Sequence, residues 1–147
     1  MIRQAKIFID QTGWYALLDD QSPYHDLFKK EFEISLNNDS KLITSNVAVG
    51  NTISQLKEKL GTEIAVRFNE IVEEAHIGTH LRILWVGRRS QKEAMRLLRK
   101  NPGLSLHFYD FAHAVFMEKR RVKNILTTKI EFYELGFKIL ADIKEPK

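Results

Sequence analysis

Four short apolar runs in this chain are each followed, directly or within a helix, by residues able to do chemistry. Asp10 ends the run Lys6-Ile7-Phe8-Ile9, and Thr12 stands two residues on. Ser45-Asn46 follows Lys41 to Thr44 and leads to Asn51 inside the next helical pattern. Asp110 sits at the start of a later helical stretch, and Thr127-Thr128-Lys129 ends the run that begins at Ile125. Asp10 and Asp110, brought together, could chelate a divalent cation through oxygen ligands. Each also has a plainer use, Asp10 as a turn residue and Asp110 as an N-cap accepting orphan amide protons. Spacing alone favours the plainer use.

Other chemistry finds less support. His76 and His80 are four apart with Gly78 between them at a helix end, and no His-Glu-x-x-His pattern exists. His107 and His113 flank Asp110; His113 shares its helix face and could bond that carboxylate or a phosphate, although packing at a partly buried surface is the commoner role. Ser105 and Thr127 lack evident Ser-His-Asp partners, and there is no glycine-rich phosphate loop. From Arg88 to Lys100, residues Arg89, Lys92, Arg96, Arg99 and Lys100 fall on one arc of about 100° at 100° per residue. Such an arc is either a solvated face or a contact for the phosphate backbone of RNA. Lys119-Arg120-Arg121 and Lys123 form a second basic cluster.

The elements that must position these residues alternate. Strands are expected at 6–9, 41–44, 81–86, 125–128 and 137–140. Helical patterns are expected at 14–18, 25–36, from Ser45 or Asn46 to Gly61, 62–76, 88–100, from Tyr109 or Asp110 to about Glu118, and 130–135. Strands alternating with helices predict parallel βαβ units and a three-layer α/β/α sandwich on a central five-stranded parallel sheet. Ligands of such sheets gather at the carboxyl ends of the strands. The aromatics Trp14, Tyr15, Phe108, Tyr109 and Phe111 read as core or dimer-contact residues rather than base-stacking platforms. No repeat or linker divides residues 1–147, so one domain is expected.

Composition narrows the partners. The longest apolar run is five residues, Trp14 to Leu18, far short of the roughly 18 that cross a bilayer. Arg3, Lys6 and Asp10 leave no apolar core for a signal peptide at the start of the sequence. The absence of cysteine excludes disulfides, thiolate metal sites and a thiol nucleophile. A cytoplasmic protein without a membrane partner is expected, and a net charge of +4 tolerates a polyanion without requiring one.

In combination, four segments resemble the PIN-domain family, including the VapC-like toxin ribonucleases. Ile7-Phe8-Ile9-Asp10-Gln11-Thr12-Gly13-Trp14-Tyr15-Ala16-Leu17-Leu18 is similar to its opening strand and aspartate. Thr44-Ser45-Asn46 through Asn51-Thr52 resembles its strand-to-helix segment. Leu104-Ser105-Leu106-His107-Phe108-Tyr109-Asp110 resembles its third motif. Leu126-Thr127-Thr128-Lys129 with Phe132 and Gly136-Phe137 resembles its closing segment. The resemblance implies strand order 3-2-1-4-5. It also implies four acidic residues holding Mg²⁺ or Mn²⁺ for water attack on an RNA phosphodiester.

Carried over one residue at a time, Asp10 matches the first aspartate, Thr12 the supporting hydroxyl and Asp110 the helix-opening aspartate. The expected glutamate falls on Asn51 and the expected late aspartate on Lys129. Asp10 and Asp110 are therefore the residues left to hold a metal, and with Lys129 their charges sum to −1. An ammonium 4 Å from a carboxylate is attracted by about 4 kcal/mol at an effective dielectric near 20, so it competes with a divalent ion. The expectation is a protein of toxin-type ribonuclease ancestry whose site holds Mg²⁺ or Mn²⁺ weakly or not at all, and which binds RNA or an antitoxin-like partner without efficient cleavage. The alternative is an active Mg²⁺-dependent endoribonuclease using Asp10 and Asp110. A homodimer through exposed apolar surface is a further expectation.

Overall fold

Five parallel strands form the centre of the computed structural model, which describes residues 5–141. They are β1 (Lys6–Ile9), β2 (Lys41–Ser45), β3 (Leu81–Leu84), β4 (Asn124–Leu126) and β5 (Lys138–Ile139). Their order is β3-β2-β1-β4-β5, the order implied by the resemblance. Every pairing is parallel, with Phe8 opposite Ile43 on one side of β1 and Ile125 on the other. A parallel sheet is covered on both faces, so its central strands need apolar residues on both. Ile7, Phe8 and Ile9 are accordingly all buried.

Among the described residues six α-helices cover the sheet: α1 (Gln11–Leu18), α2 (His25–Asn37), α3 (Asn46–Leu60), α4 (Thr62–Ile77), α5 (Arg88–Lys100) and α6 (Phe108–Arg120). Alternation along the strands decides which layer each residue meets. The Phe8 ring lies 4.8 Å from that of His113 on α6, so the even-numbered residues of β1 face α6. On the opposite face the indole N–H of Trp14 in α1 donates to Thr44 Oγ1, which in turn donates to the Ile9 carbonyl. Trp14 also packs edge-on against Phe32 of α2 and Phe68 of α4. Trp14 and Phe111 are thus core residues, whereas Tyr109 is exposed. No helix of the described residues is long and apolar enough to cross a membrane.

Several boundaries differ from expectation. Helix α1 begins at Gln11 rather than Trp14, because Asp10 is its N-cap and accepts the Gly13 amide at 2.9 Å. Asp110 is not an N-cap but the third residue of α6, and its carboxylate reaches back to the His107 amide at 2.8 Å. Strands β3, β4 and β5 are shorter than their apolar runs, and the segment Ile130–Leu135 is a 3₁₀ helix.

Gly13 is where α1 meets the end of β4. A Cβ there would overlap the Leu126 carbonyl oxygen and press on Ile9. In an open helix Gly→Ala gains about 1 kcal/mol, but this overlap is with backbone, which cannot swing aside. Gly13→Ala should therefore destabilise the protein by about 2 kcal/mol, within the usual cost of overpacking. Urea unfolding checks the sign, and a stabilised variant would contradict the close approach.

Candidate functional site

The carboxyl edge of the sheet gathers residues from three separate parts of the chain. Asp10, at the end of β1, is fully buried at 0% exposure. Its Oδ1 accepts the Thr12 hydroxyl at 2.6 Å and the Gly13 amide, and its Oδ2 accepts the Thr127 hydroxyl at 2.6 Å. Thr12 Oγ1 also accepts the Thr128 amide at 2.9 Å, which ties α1 to the segment after β4. Burial drives the Asp10 pKa upward, the donors from Thr12, Thr127 and Gly13 pull against that, and the nearby charge of Asp110 adds to the rise.

Asp110 arrives from α6 and is 1% exposed. Its Oδ2 receives two donors, the His107 amide and the Lys129 ammonium, the latter at 2.6 Å. Its Oδ1 is buried with no protein partner. The Lys129 side chain is 20% exposed, so the ion pair is sheltered but reached by solvent on one side. The Lys129 amide donates to Thr127 Oγ1, and one short turn therefore holds the ammonium on Asp110 and the hydroxyl on Asp10.

Asp10, Thr12, Asp110 and Lys129 thus converge. Asn51 does not join them; it is exposed on the second turn of α3, and its side chain makes no hydrogen bond among the described residues. The pairing of Thr127 with Asp10 has no sequence signal beyond the place of Thr127 just past β4. His113 differs from expectation: it is fully buried rather than at a partly buried surface, and its ring bonds Ser45 rather than the Asp110 carboxylate. Its Nε2 shares a 2.7 Å hydrogen bond with Ser45 Oγ, which also accepts the Ala48 amide as the N-cap of α3. On α5 the arc of Arg89, Lys92, Arg96, Arg99 and Lys100 is exposed throughout. Glu93 takes up part of its charge, 3.6 Å from Arg89 and 2.6 Å from Lys119 of α6.

Residues 7–138 match the PIN domain family. This chain belongs to the PIN-domain family. No curated protein is significantly similar to it in sequence. Among solved structures it is similar to VapC20 of Mycobacterium tuberculosis, described as a sarcin-ricin loop cleaving toxin. The identity is 22% and the TM-score 0.78, over 90% of this chain and 96% of that one. That likeness shows the shared fold.

The divalent ion implied by the PIN resemblance fits these residues poorly. Both Asp10 oxygens already accept protein donors, and one Asp110 oxygen is held by an ammonium. Among the described residues no three Asp, Glu, His or Cys side chains cluster as a metal site would require. Asp110 Oδ1 is the one free carboxylate oxygen of the pair, whereas Mg²⁺ relies on carboxylates to offset the water it surrenders.

His113 gives this edge a pH signature. Burial pushes its pKa down to about 4, with the Asp110 charge opposing and the Lys129 charge reinforcing the shift. Unfolded, the imidazole titrates near 6.5, so between about pH 6.5 and pH 4 the unfolded chain binds the extra proton. The stability linked to neutral His113 is complete above that window and is lost as the pH falls through it, by about 3 kcal/mol at about 1.4 kcal/mol per pH unit. Asp10 acts in the opposite sense, since its raised pKa lets the folded state take up a proton first above 3.8. The stability gap between wild type and His113→Gln, measured in urea, should narrow from pH 7 to pH 4.5. A constant gap would contradict the neutral, buried imidazole.

Proposed function

We propose that this PIN domain descends from toxin-type nucleases and holds RNA without metal-dependent cleavage. One observation carries the reading: the Lys129 ammonium lies 2.6 Å from Asp110 Oδ2, where the family resemblance calls for an acidic metal ligand. A tethered cation of this kind neutralises Asp110 permanently and competes with any ion for the same oxygen. Replacement of a carboxylate by Asn51 removes a second charge. Asp10 and Asp110 are then retained positions of an ancestral acidic set, with Thr12 and Thr127 orienting Asp10. The structural likeness to a sarcin-ricin loop cleaving toxin supports nucleic acid as the ancestral substrate class. The exposed arc of Arg89, Lys92, Arg96, Arg99 and Lys100 supplies the phosphate contacts in this reading, with salt-sensitive binding as the consequence.

A protein partner of antitoxin type is the second reading. It is favoured by an apolar cleft of about 540 Å³ where α1, α2 and α4 meet the sheet, lined by Trp14, Leu17, Phe32, Phe68 and Ile71.

Restoring the acidic set tests the first reading. The double variant Asn51→Glu, Lys129→Asp should acquire Mn²⁺ binding, seen as a rise in Tm. The corresponding stabilisation is about 2.7 kcal/mol when the ion is at 100 times its Kd. Wild type should show neither a Mn²⁺-dependent Tm shift nor fragments from a mixed RNA. Mn²⁺-dependent cleavage by wild type that Asp10→Asn abolishes would overturn the reading and return an active endoribonuclease to first place.

A further inference from the structure

The opposite, amino-terminal edge of the sheet carries a cleft of about 630 Å³ lined by Lys6, Lys41, Arg82, Lys119, Arg120 and Arg121. Strand register explains the convergence. Lys6 and Lys41 are direct partners across β1 and β2, and Arg82 is the partner of Ile43, two residues beyond Lys41. All three therefore project from the face of the sheet that carries α6, which ends in Lys119 and Arg120 with Arg121 as its C-cap. Among the described residues no Asp or Glu lines the cleft. Six cations thus meet in one cleft of a chain whose net charge is only +4.

Plain structural roles account for part of this set. Lys6 donates to the Arg120 carbonyl at 3.0 Å, and Lys119 is paired with Glu93. The Arg120 guanidinium lies 5.5 Å over the Phe116 ring. A helix C-terminus attracts cations, but its dipole amounts to only about half a negative charge. That leaves Lys41, Arg82, Arg120 and Arg121 without an ion pair among the described residues. Like charges facing each other across neighbouring strands are unfavourable, and Lys6 opposite Lys41 is such a pair. An arrangement of this kind is relieved by an anion spanning several of the side chains.

We infer that this cleft is a docking site for the phosphodiester backbone of single-stranded RNA, continuous with the basic face of α5 and at the opposite end of the strands from Asp10 and Asp110. The proposal rests on the RNA-holding reading above and places part of the contact surface at the edge where cleavage chemistry would not be. Continuity comes through Glu93, which touches both Arg89 of α5 and Lys119 of the cleft. Leu42, Ile43 and Leu81 also line the cleft, and its rings are those of His76 and His80, with no Phe, Tyr or Trp among the lining residues. Six cations outweigh two imidazoles, so the recognition is chiefly of phosphates rather than of sequence.

The test is fluorescence anisotropy of a labelled 20-nucleotide mixed-sequence RNA across a salt series, in EDTA. The variant Lys41→Gln, Arg82→Gln, Arg121→Asn changes three exposed residues, and asparagine tolerates the left-handed backbone at 121, where φ is +56°. Its slope of log K against log salt should be shallower by about 2, at about 0.7 per lost phosphate contact on a single strand, with binding weakened about tenfold or more at 0.1 M salt. The charge-matched variant Lys30→Gln, Lys57→Gln, Lys59→Gln, also at exposed positions, should keep the wild-type slope. An unchanged slope in the cleft variant, or an equal loss in the charge-matched one, overturns the cleft proposal while leaving RNA binding in place. Absence of wild-type binding overturns both. The same RNA, incubated with Mn²⁺ and run on a gel, scores cleavage separately, so fragments would contradict the non-cleaving reading alone.

Discussion

Taking a carboxylate out of water costs several kcal/mol unless donors or a cation replace the lost hydration. This chain does so twice at one edge of its sheet, and the local architecture follows from the two ways in which it is done. Asp10 is compensated by neutral donors: two threonine hydroxyls and a backbone amide. Those donors belong to α1 and to the segment after β4, so satisfying one carboxylate also locks β1, α1 and β4 together. Asp110 is compensated by one amide and one ammonium. That pairing draws α6 onto the same turn after β4, and Thr127 and Lys129 hold the two carboxylates from adjacent points of the chain.

These two solutions have different chemical consequences. Hydroxyl and amide donors leave Asp10 oriented, with its protonated form favoured by burial. An ammonium makes Asp110 a fixed half of an ion pair. A divalent ion entering here would have to displace the Lys129 ammonium from Asp110, where that side chain is only 20% exposed, and would find an amide at Asn51 where a carboxylate would help. The basic residues lie elsewhere, on the exposed arc of α5 and around the cleft at the opposite edge. In the proposed reading, phosphate contact and the Asp10–Asp110 pair are thus separated along the length of the strands.

Much of this was legible in the sequence. Central parallel strands are buried on both faces and read as unbroken apolar runs, which is why Ile7-Phe8-Ile9 and the alternation of strands and helices stand out. The convergence of Asp10, Asp110 and Lys129 follows from that topology together with the PIN resemblance. The start of α1 was hidden because Gln11-Thr12-Gly13 carries no apolar periodicity; the helix begins there because Asp10 caps it. Asp110 reads as a cap from sequence, yet it acts from the third helical position, a distinction that only backbone geometry makes. Neither the Thr127 hydroxyl on Asp10 nor the Ser45–His113 pair has a spacing signature, since each joins residues far apart in the chain. Lys6, Lys41 and Arg82 likewise stand alone in sequence, and only strand register brings them to one cleft.

The claim at the centre is that Lys129 serves as the counter-ion of Asp110, and a double-mutant cycle measures that directly. Lys129→Met leaves the buried Asp110 charge unpaired and should cost about 3 kcal/mol in urea unfolding at pH 7, as breaking a buried pair does. Asp110→Asn alone should cost less. In the Asp110→Asn background Lys129→Met should cost almost nothing, giving a coupling of about 2 kcal/mol or more, towards the upper end for residues in contact. Additive effects, with Lys129→Met costing the same in both backgrounds, would contradict the pairing and with it the tethered cation in place of a metal.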